Sequence, residues 1–286
     1  MKPLKLYFLI SFGLAWALMA AGMALTQVNP LFYQGLVALA MFAPMLGALA
    51  CCRGLGTAKT GIGWKPRFRG NLGRYALALL GPAVLTLAGA VLYFLLYPGQ
   101  LDLGMSVLAA QMGLEAVPPV MMVGQVVLCV TLYPFINMIF ALGEEVGWRG
   151  YLTPQLQARL GRRGGLLASG VIWGVWHWPL ILLAGYEYGV GYPGAPFTGA
   201  LAMCLFTTAI GILLTWLYEK TGSIWAPALG HGALNAIAAL PLYFLADGGA
   251  SGYLLGPTLA GVISVLPALA LALGTLRTPN TQKTNA

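Results

Sequence analysis

The chain has 286 residues, of which 59% are hydrophobic and only 8% charged, with a mean hydropathy of +0.81 and a formal net charge of +8. A typical soluble domain has about 25% charged residues, so this composition excludes an ordinary soluble protein and predicts that the bilayer is its solvent. The basic residues lie at the ends of hydrophobic runs, where they set orientation and contact anionic headgroups. We therefore expect membrane lipids, and no nucleic acid, among the partners.

Apolar runs of roughly twenty residues recur along the whole chain, and no polar block is long enough for a separate soluble domain. We therefore predict an all-α integral membrane protein, in which residues 1–286 form one polytopic domain of about eight transmembrane helices. The first segment lacks a cleavage site of the small-x-small type, so we expect it to be retained as a span. The predicted segments lie near Leu6–Leu25, Leu31–Cys52, Tyr75–Tyr97, Val120–Leu152, Leu166–Ala184, Phe197–Tyr218, Ile224–Leu245 and Tyr253–Leu276.

Basic residues alternate between the two ends of these segments. The N-terminus, the even-numbered connections and the C-terminal tail carry Lys and Arg, whereas the odd-numbered connections carry only acidic residues. By the positive-inside rule both termini are cytoplasmic, and we expect a prokaryotic plasma membrane. The basic residues are Lys2, Lys5, Arg53, Lys59, Lys65, Arg67, Arg69, Arg74, Arg159, Arg162, Arg163, Lys220, Arg277 and Lys283, and the acidic ones are Asp102, Glu115, Glu187 and Asp247.

The fourth segment carries three charged side chains, those of Glu144, Glu145 and Arg149, in an otherwise apolar run. Charge within a spanning helix is costly, so such residues usually face the bundle interior and serve a function. Glu145 and Arg149 are four residues apart, with the acid N-terminal to the base, which favours an ion pair. Glu144 is rotated by about 100° from Glu145 and is expected to face a cavity. The alternative is a buried packing network of all three side chains.

The same segment is too long for one straight span. It runs from Pro118 to Leu152, and a helix rises by roughly 1.5 Å per residue, so Pro134 predicts a break. We expect the membrane-embedded part to end at an aromatic belt formed by Trp148, Tyr151 and Leu152. This end point places the first glutamate roughly 12 Å inside the cytoplasmic boundary.

The chain has two histidines, and both lie inside hydrophobic segments. His177 follows Trp173 by four residues, and His231 precedes Asn235 by four, so each pair shares a helix face. Either pair alone is weak evidence, because a histidine among tryptophans is more often a core residue. Together with Glu144, however, they come from three segments at a similar depth of roughly 12 to 16 Å. This convergence predicts a catalytic cavity that faces the cytoplasm.

With these motifs the chain resembles the CPBP family of intramembrane proteases, which includes the Rce1-type CAAX prenyl proteases and bacteriocin-processing relatives. The family signature is Glu-Glu-x-x-x-Arg, Phe-x-x-x-His and His-x-x-x-Asn on successive helices. The corresponding residues here are Glu144, Glu145, Arg149, Trp173, His177, His231 and Asn235, within roughly the second half of the chain. Trp173 stands where phenylalanine is usual. The resemblance implies peptide-bond hydrolysis, with Glu144 and His177 activating water and His231 and Asn235 stabilising the oxyanion.

The side-chain chemistry agrees with this implication, but it leaves a metal site open. A desolvated glutamate beside a histidine can act as general base and then general acid, and imidazole and amide N–H groups can donate to an oxyanion. Zinc is the alternative, because Glu144, His177 and His231 would be three ligands of a hydrolytic site with an open position. We favour the metal-free reaction, since a zinc-bound Glu144 leaves the water without a base while Glu145 is committed to Arg149.

Two other classes compete with a protease. A proton- or ion-coupled transporter would also bury ionisable residues, and a non-catalytic scaffold could retain the fold. The sequence has no internal repeat of the transporter type, and its polar groups lie in one half. It also lacks a His-Glu-x-x-His helix. The expected substrate is a membrane-associated peptide or a prenylated or otherwise lipidated protein; CAAX tails, bacteriocin leaders and signalling-peptide precursors fit equally well.

Overall fold

The computed structural model describes residues 3–54, 61–249 and 252–277, with the backbone alone for residues 53 and 54. Regular structure within these ranges is helical, with no β-strand, which confirms the all-α prediction. Lys2, Lys59, Lys283 and the side chain of Arg53, which contribute to the predicted charge alternation, lie outside what is described. The α-helices are α1 Pro3–Leu25, α2 Pro30–Ala40, α3 Ala43–Gly54, α4 Leu72–Leu96, α5 Ser106–Gln111, α6 Pro119–Thr131, α7 Tyr133–Gly147, α8 Thr153–Trp176, α9 Trp178–Ala184, α10 Phe197–Thr221, α11 Trp225–Ile237 and α12 Leu266–Arg277.

Five helical segments of the described chain are long and apolar enough to cross a membrane, as a multi-pass protein requires. They are Pro3–Leu25, Pro30–Cys52, Leu72–Leu96, Tyr133–Ala184 and Phe197–Thr221. Four of them correspond to the first, second, third and sixth predicted segments. The segment Tyr133–Ala184 contains the end of the fourth prediction and all of the fifth. The shorter apolar helices are Pro119–Thr131 and Leu266–Arg277.

The predicted break in the fourth segment is present, but the helical chain does not end at Leu152, where the predicted segment ends. The helix is interrupted at Leu132, because Pro134 stands in the first turn of α7. A π-helical turn at Trp148–Leu152 then leads directly into α8. The chain reverses only at Gly161, whose φ of 70° is readily adopted by glycine. The reversal brings Thr153 back to Ser169, with 2.6 Å between their hydroxyl oxygens.

The aromatic belt predicted at the end of the fourth segment is also wrong. Trp148 and Leu152 are fully buried and Tyr151 is 6% exposed, so all three belong to the protein core and not to a membrane interface. The basic residues that follow, Arg159, Arg162 and Arg163, flank the reversal at Gly161.

The seventh and eighth predicted segments are shorter as helices than the hydropathy indicated. The helix α11 ends at Ile237 and is followed by a 3₁₀ turn at Leu240–Phe244, which contains a proline. Residues 253–265 form turns, and α12 starts only at Leu266. This irregular stretch packs against α4, where Gly89 lies so close to Ser264 that a Cβ at Gly89 would meet its backbone. Hydropathy detects the apolar character of such a stretch but not its conformation.

The helix α7 lies between α3 and α11, and glycines allow these close contacts. A Cβ at Gly143 of α7 would stand 2.6 Å from the carbonyl oxygen of Met41, just before α3. On α11, a Cβ at Gly232 would stand 2.5 Å from the backbone nitrogen of Met138 in α7. Small residues at such contacts let helix backbones approach closely in membrane proteins. The close packing brings the acidic end of α7 against the histidine of α11.

Candidate active site

Glu144 lies in the last turn of α7 and is 2% exposed. One of its oxygens, Oε2, accepts hydrogen bonds from two indoles, at 3.0 Å from Trp148 Nε1 and at 2.6 Å from Trp173 Nε1. Trp148 belongs to the π-helical turn after α7, and Trp173 to α8. No hydrogen bond within the described chain occupies the other oxygen, Oε1, although this atom is not sealed from solvent. The carboxylate therefore has one oxygen fixed by protein donors and one available to a ligand or water.

Glu145 forms the predicted ion pair and also binds a histidine. Its Oε1 lies 2.8 Å from Arg149 NH1 and 2.8 Å from His231 Nδ1. All three side chains are at most 4% exposed. Because the same oxygen faces a guanidinium, Glu145 is best described as a carboxylate, and His231 Nδ1 then carries the hydrogen that it donates. This arrangement leaves Nε2 as the free nitrogen of the His231 ring.

The two glutamates thus have different partners, as expected from the angle of about 100° between consecutive residues of a helix. Trp173 contacts the partners of Glu145 as well as Glu144 itself. The guanidinium carbon of Arg149 lies 4.3 Å from the centre of the Trp173 ring, and His231 contacts the same ring edge to face at 5.2 Å. The Nε1 of this indole donates to Glu144. One buried aromatic ring therefore contacts residues from α7, the π-helical turn and α11.

His177 follows the last residue of α8 and is half-buried. Its Nδ1 lies 2.9 Å from the carbonyl oxygen of Trp173, which can only accept, so Nδ1 carries the hydrogen. In the neutral ring Nε2 is then an acceptor, with the lone pair that a general base requires. The ring stacks on Tyr186, with the planes 8° apart and the centroids 6.2 Å apart. The stacked ring and the Nδ1 hydrogen bond fix the orientation of Nε2.

Asn235 is the predicted site residue that does not join this network. It lies one turn after His231 on α11, but it is exposed while His231 is buried. In the described ranges its side chain makes no hydrogen bond to another residue. The amide is therefore available to a ligand, but the structure does not orient it. The two residues share one face of α11 but have different surroundings. The helix α7 covers the turn that holds His231, whereas the turn that holds Asn235 is exposed.

Two residues of this network were missed by the sequence reasoning. Trp148 was interpreted as a membrane-interface residue, although its position four residues after Glu144 already predicts a contact on the same helix face. Tyr186 belongs to the connection after α9 and shares no spacing with the motifs, so nothing in the sequence indicated that it contacts His177. A contact of this kind depends on tertiary structure alone.

The zinc alternative requires that Glu144, His177 and His231 surround one point in space. In the part of the chain that the structure describes, no three His, Cys, Asp or Glu side chains are grouped closely enough to hold a metal ion. Glu144, His177 and His231 are therefore not assembled as a zinc site in this arrangement, although Glu144 Oε1 and the Nε2 atoms of both histidines have no hydrogen-bond partner in the described ranges. The metal-free reaction stays a prediction.

Comparison with known proteins identifies the region that holds these residues. Residues 125–237 match the family described as Type II CAAX prenyl endopeptidase Rce1-like. A CAAX prenyl protease 2 of Methanococcus maripaludis is 31% identical over 103 residues, an alignment that covers 35% of this chain and 37% of that relative. The chain thus aligns with little more than a third of that relative's length. Every candidate site residue, from Glu144 to Asn235, lies inside the segment that is similar to the Rce1-like family, in a chain built as a multi-pass helical membrane protein.

Proposed function

We propose that this chain is an intramembrane endopeptidase that hydrolyses a peptide bond of a membrane-associated or lipidated peptide or protein. The observation that carries the proposal is the buried Glu144 carboxylate with one fixed oxygen and one without a protein partner. The half-buried imidazole of His177 is tied to the same tryptophan. A carboxylate held in this way is suited to taking a proton from a water molecule.

In the proposed reaction Glu144 and His177 activate the water together. Glu144 accepts one proton as the water oxygen bonds to the carbonyl carbon of the substrate, and His177 Nε2 orients the water through its lone pair. The tetrahedral intermediate collapses when the carbon–nitrogen bond breaks and the proton held by Glu144 moves to the leaving nitrogen. The products are a carboxylic acid and an amine, and the site returns to its starting protonation state.

His231 and Asn235 are proposed to stabilise the oxyanion. The Asn235 amide is an available donor. A neutral His231 ring has a single N–H group, and its Nδ1 hydrogen is already directed at Glu145. For Nε2 to donate as well, the ring must be an imidazolium, whose positive charge would be balanced by Glu145 and by the oxyanion itself. The Glu145–Arg149 pair would then serve to hold that ring.

The substrate class is proposed from the family and from the position in the membrane. The relative's name, CAAX prenyl protease 2, makes a prenylated CAAX tail the first candidate for this chain as well. The test is to incubate the purified protein with fluorogenic peptides that are identical except for the prenyl group, and to identify the products by mass spectrometry. Cleavage of at least one peptide, lost in Glu144→Ala, supports the proposal. If no peptide is cleaved and liposomes that contain the protein show proton or ion flux, it is a transporter instead.

The same assay decides the role of metal. We propose a metal-free reaction, so activity should survive prolonged chelation, and metal analysis of active protein should find far less than one zinc per chain. Asn235→Ala should slow turnover by about 10²–10³-fold with little change in KM, because it removes an oxyanion donor. Stoichiometric zinc that is lost in Glu144→Ala, His177→Ala and His231→Ala, with activity restored by added zinc, would refute the metal-free reaction.

The proposed topology places both termini and the catalytic cavity on the cytoplasmic side. Reporters fused at Lys65, Arg162 and Lys220 should then read as cytoplasmic, and reporters at Glu115 and Glu187 as external, because basic connections remain inside. Protease protection and a cysteine-accessibility assay would check each fusion. An external signal at Arg162, which is next to the reversal at Gly161, would overturn the topology and the cytoplasmic access of substrate.

A further inference from the structure

Two indole N–H groups converge on one oxygen of Glu144. The donors come from different elements, Trp148 from the π-helical turn and Trp173 from α8, and both bonds end on Oε2. Trp148 is fully buried and Trp173 is 2% exposed, so neither ring is open to substrate. Hydrogen bonds from neutral N–H groups to a carboxylate are short and strong when water is excluded, and the 2.6 Å separation to Trp173 is of this kind.

Both rings are held in place by further contacts. Trp148 makes edge-to-face contacts with Tyr7, Phe12 and Trp176, at centroid distances between 6.2 and 6.4 Å. Trp173 lies between the Arg149 guanidinium at 4.3 Å and the His231 ring at 5.2 Å. Each indole can therefore point its N–H in only one direction without disturbing several neighbours. The donors are preorganised, and the carboxylate must adopt the orientation that they impose.

We propose that Trp173, assisted by Trp148, is a positioning residue for catalysis, an inference that rests on the proposed function. The two indoles saturate Oε2, so that Oε1 is the oxygen that receives the proton of the water. Trp173 also orients the second water-activating residue, because its carbonyl oxygen accepts from His177 Nδ1. One residue thus sets the relative placement of Glu144 and His177, through its side chain and its backbone.

The indole nitrogen, and not only the aromatic ring, is what this role requires. A phenylalanine at this position would preserve the aromatic ring without the donor. Trp173→Phe is therefore the discriminating change, because it removes one hydrogen bond and leaves the backbone acceptor for His177 intact. The control is Trp225→Phe, since Trp225 is the first residue of α11, is half-buried, and donates its indole N–H to the Trp64 carbonyl oxygen at 2.7 Å and not to a site residue.

The kinetic test compares these variants on the best cleaved peptide. Trp173→Phe should lower kcat by about 10-fold to 100-fold, the factor that corresponds to one hydrogen bond to a charged group. KM should stay within about twofold, because the indole does not contact substrate. Trp148→Phe should act in the same direction, and the double variant should approach Glu144→Ala. Trp225→Phe should retain kcat. Equal kcat values for Trp173→Phe and Trp225→Phe, or a rise in KM alone, would overturn the proposal.

A second measurement does not depend on activity. The chain has eight tryptophans, so the ¹H–¹⁵N spectrum of the indole groups in detergent is simple, and single Trp→Phe variants assign the signals. Glu144→Ala should move the Trp148 and Trp173 indole protons upfield and leave that of Trp225 in place. If neither signal moves, the hydrogen bonds are absent and the positioning role is wrong. If both move but no peptide is cleaved by the unmutated protein, the proposed function fails, and the positioning role in catalysis fails with it.

Discussion

Glu144→Ala and His177→Ala should each abolish peptide hydrolysis and still yield folded protein that can be extracted in detergent. Glu144 supplies the carboxylate that takes the proton, and general acid–base groups contribute about 10²–10⁴-fold each. Because the two side chains act on the same water, the double variant should be little worse than either single one. Glu144→Gln keeps the volume and should be equally inactive, which separates loss of the base from a packing defect.

A matched carboxylate elsewhere controls for loss of charge. Glu219 on α10 accepts from Arg162 NH2 at 2.9 Å and from Gln157 Nε2 at 3.1 Å, in an ion pair whose members are 12% and 18% exposed. Glu219→Gln removes a charge at a site unrelated to the proposed chemistry and should retain kcat. Turnover is followed with the cleaved fluorogenic peptide, and folding by size-exclusion elution and thermal unfolding. A well-folded Glu144→Ala protein with full activity would end the water-activation proposal.

Much of this site could be predicted from the sequence because its elements obey local rules. Spacings of four residues place Glu145 beside Arg149, and His177 beside Trp173, through helix geometry alone. Ionisable groups are so costly in lipid that their presence in three apolar segments already indicates that these segments meet. The contacts among Glu145, Trp173 and His231 agree with that expectation. The single-domain interpretation of residues 1–286 stays a prediction.

The sequence could not predict the contacts between elements or the conformations of irregular segments. The four-residue spacing puts Trp148 on the helix face of Glu144, but hydropathy suggested a membrane interface for the same residue, and its contacts with Tyr7, Phe12 and Trp176 come from other elements. The hydrogen bond between His231 Nδ1 and Glu145 requires the close approach of α11 to α7 at Gly232. It changes the chemistry expected of His231, because a nitrogen that donates to a carboxylate is no longer free for an oxyanion. The sequence also could not show that residues 253–265 form turns, because this stretch is as apolar as a membrane-spanning helix.

The buried ion pair gives the second large effect, on stability more than on chemistry. Arg149→Ala would leave Glu145, which is fully buried, with a single partner in His231 and with Oε2 unpaired as it already is. Removal of one member of a fully buried pair costs about 3–5 kcal/mol, because the remaining charge is stranded. Arg149→Ala should therefore lower the yield and the unfolding temperature markedly. Arg149→Lys should recover only part of the loss, since an ammonium cannot replace a planar guanidinium that also lies over Trp173.

A double variant separates a stranded charge from lost packing. In Glu145→Gln/Arg149→Ala the buried carboxylate is gone, so the double variant should be more stable than Arg149→Ala alone, although it has one more substitution. Arg162→Ala is the control, because its partner Glu219 is partly solvated. The loss of unfolding free energy there should be nearer the value of about 0–1 kcal/mol that is typical of a surface ion pair. The measurement is thermal unfolding in one detergent for all variants. An Arg149→Ala protein as stable as the unmutated chain, or a double variant less stable than Arg149→Ala, would show that the guanidinium does not compensate Glu145.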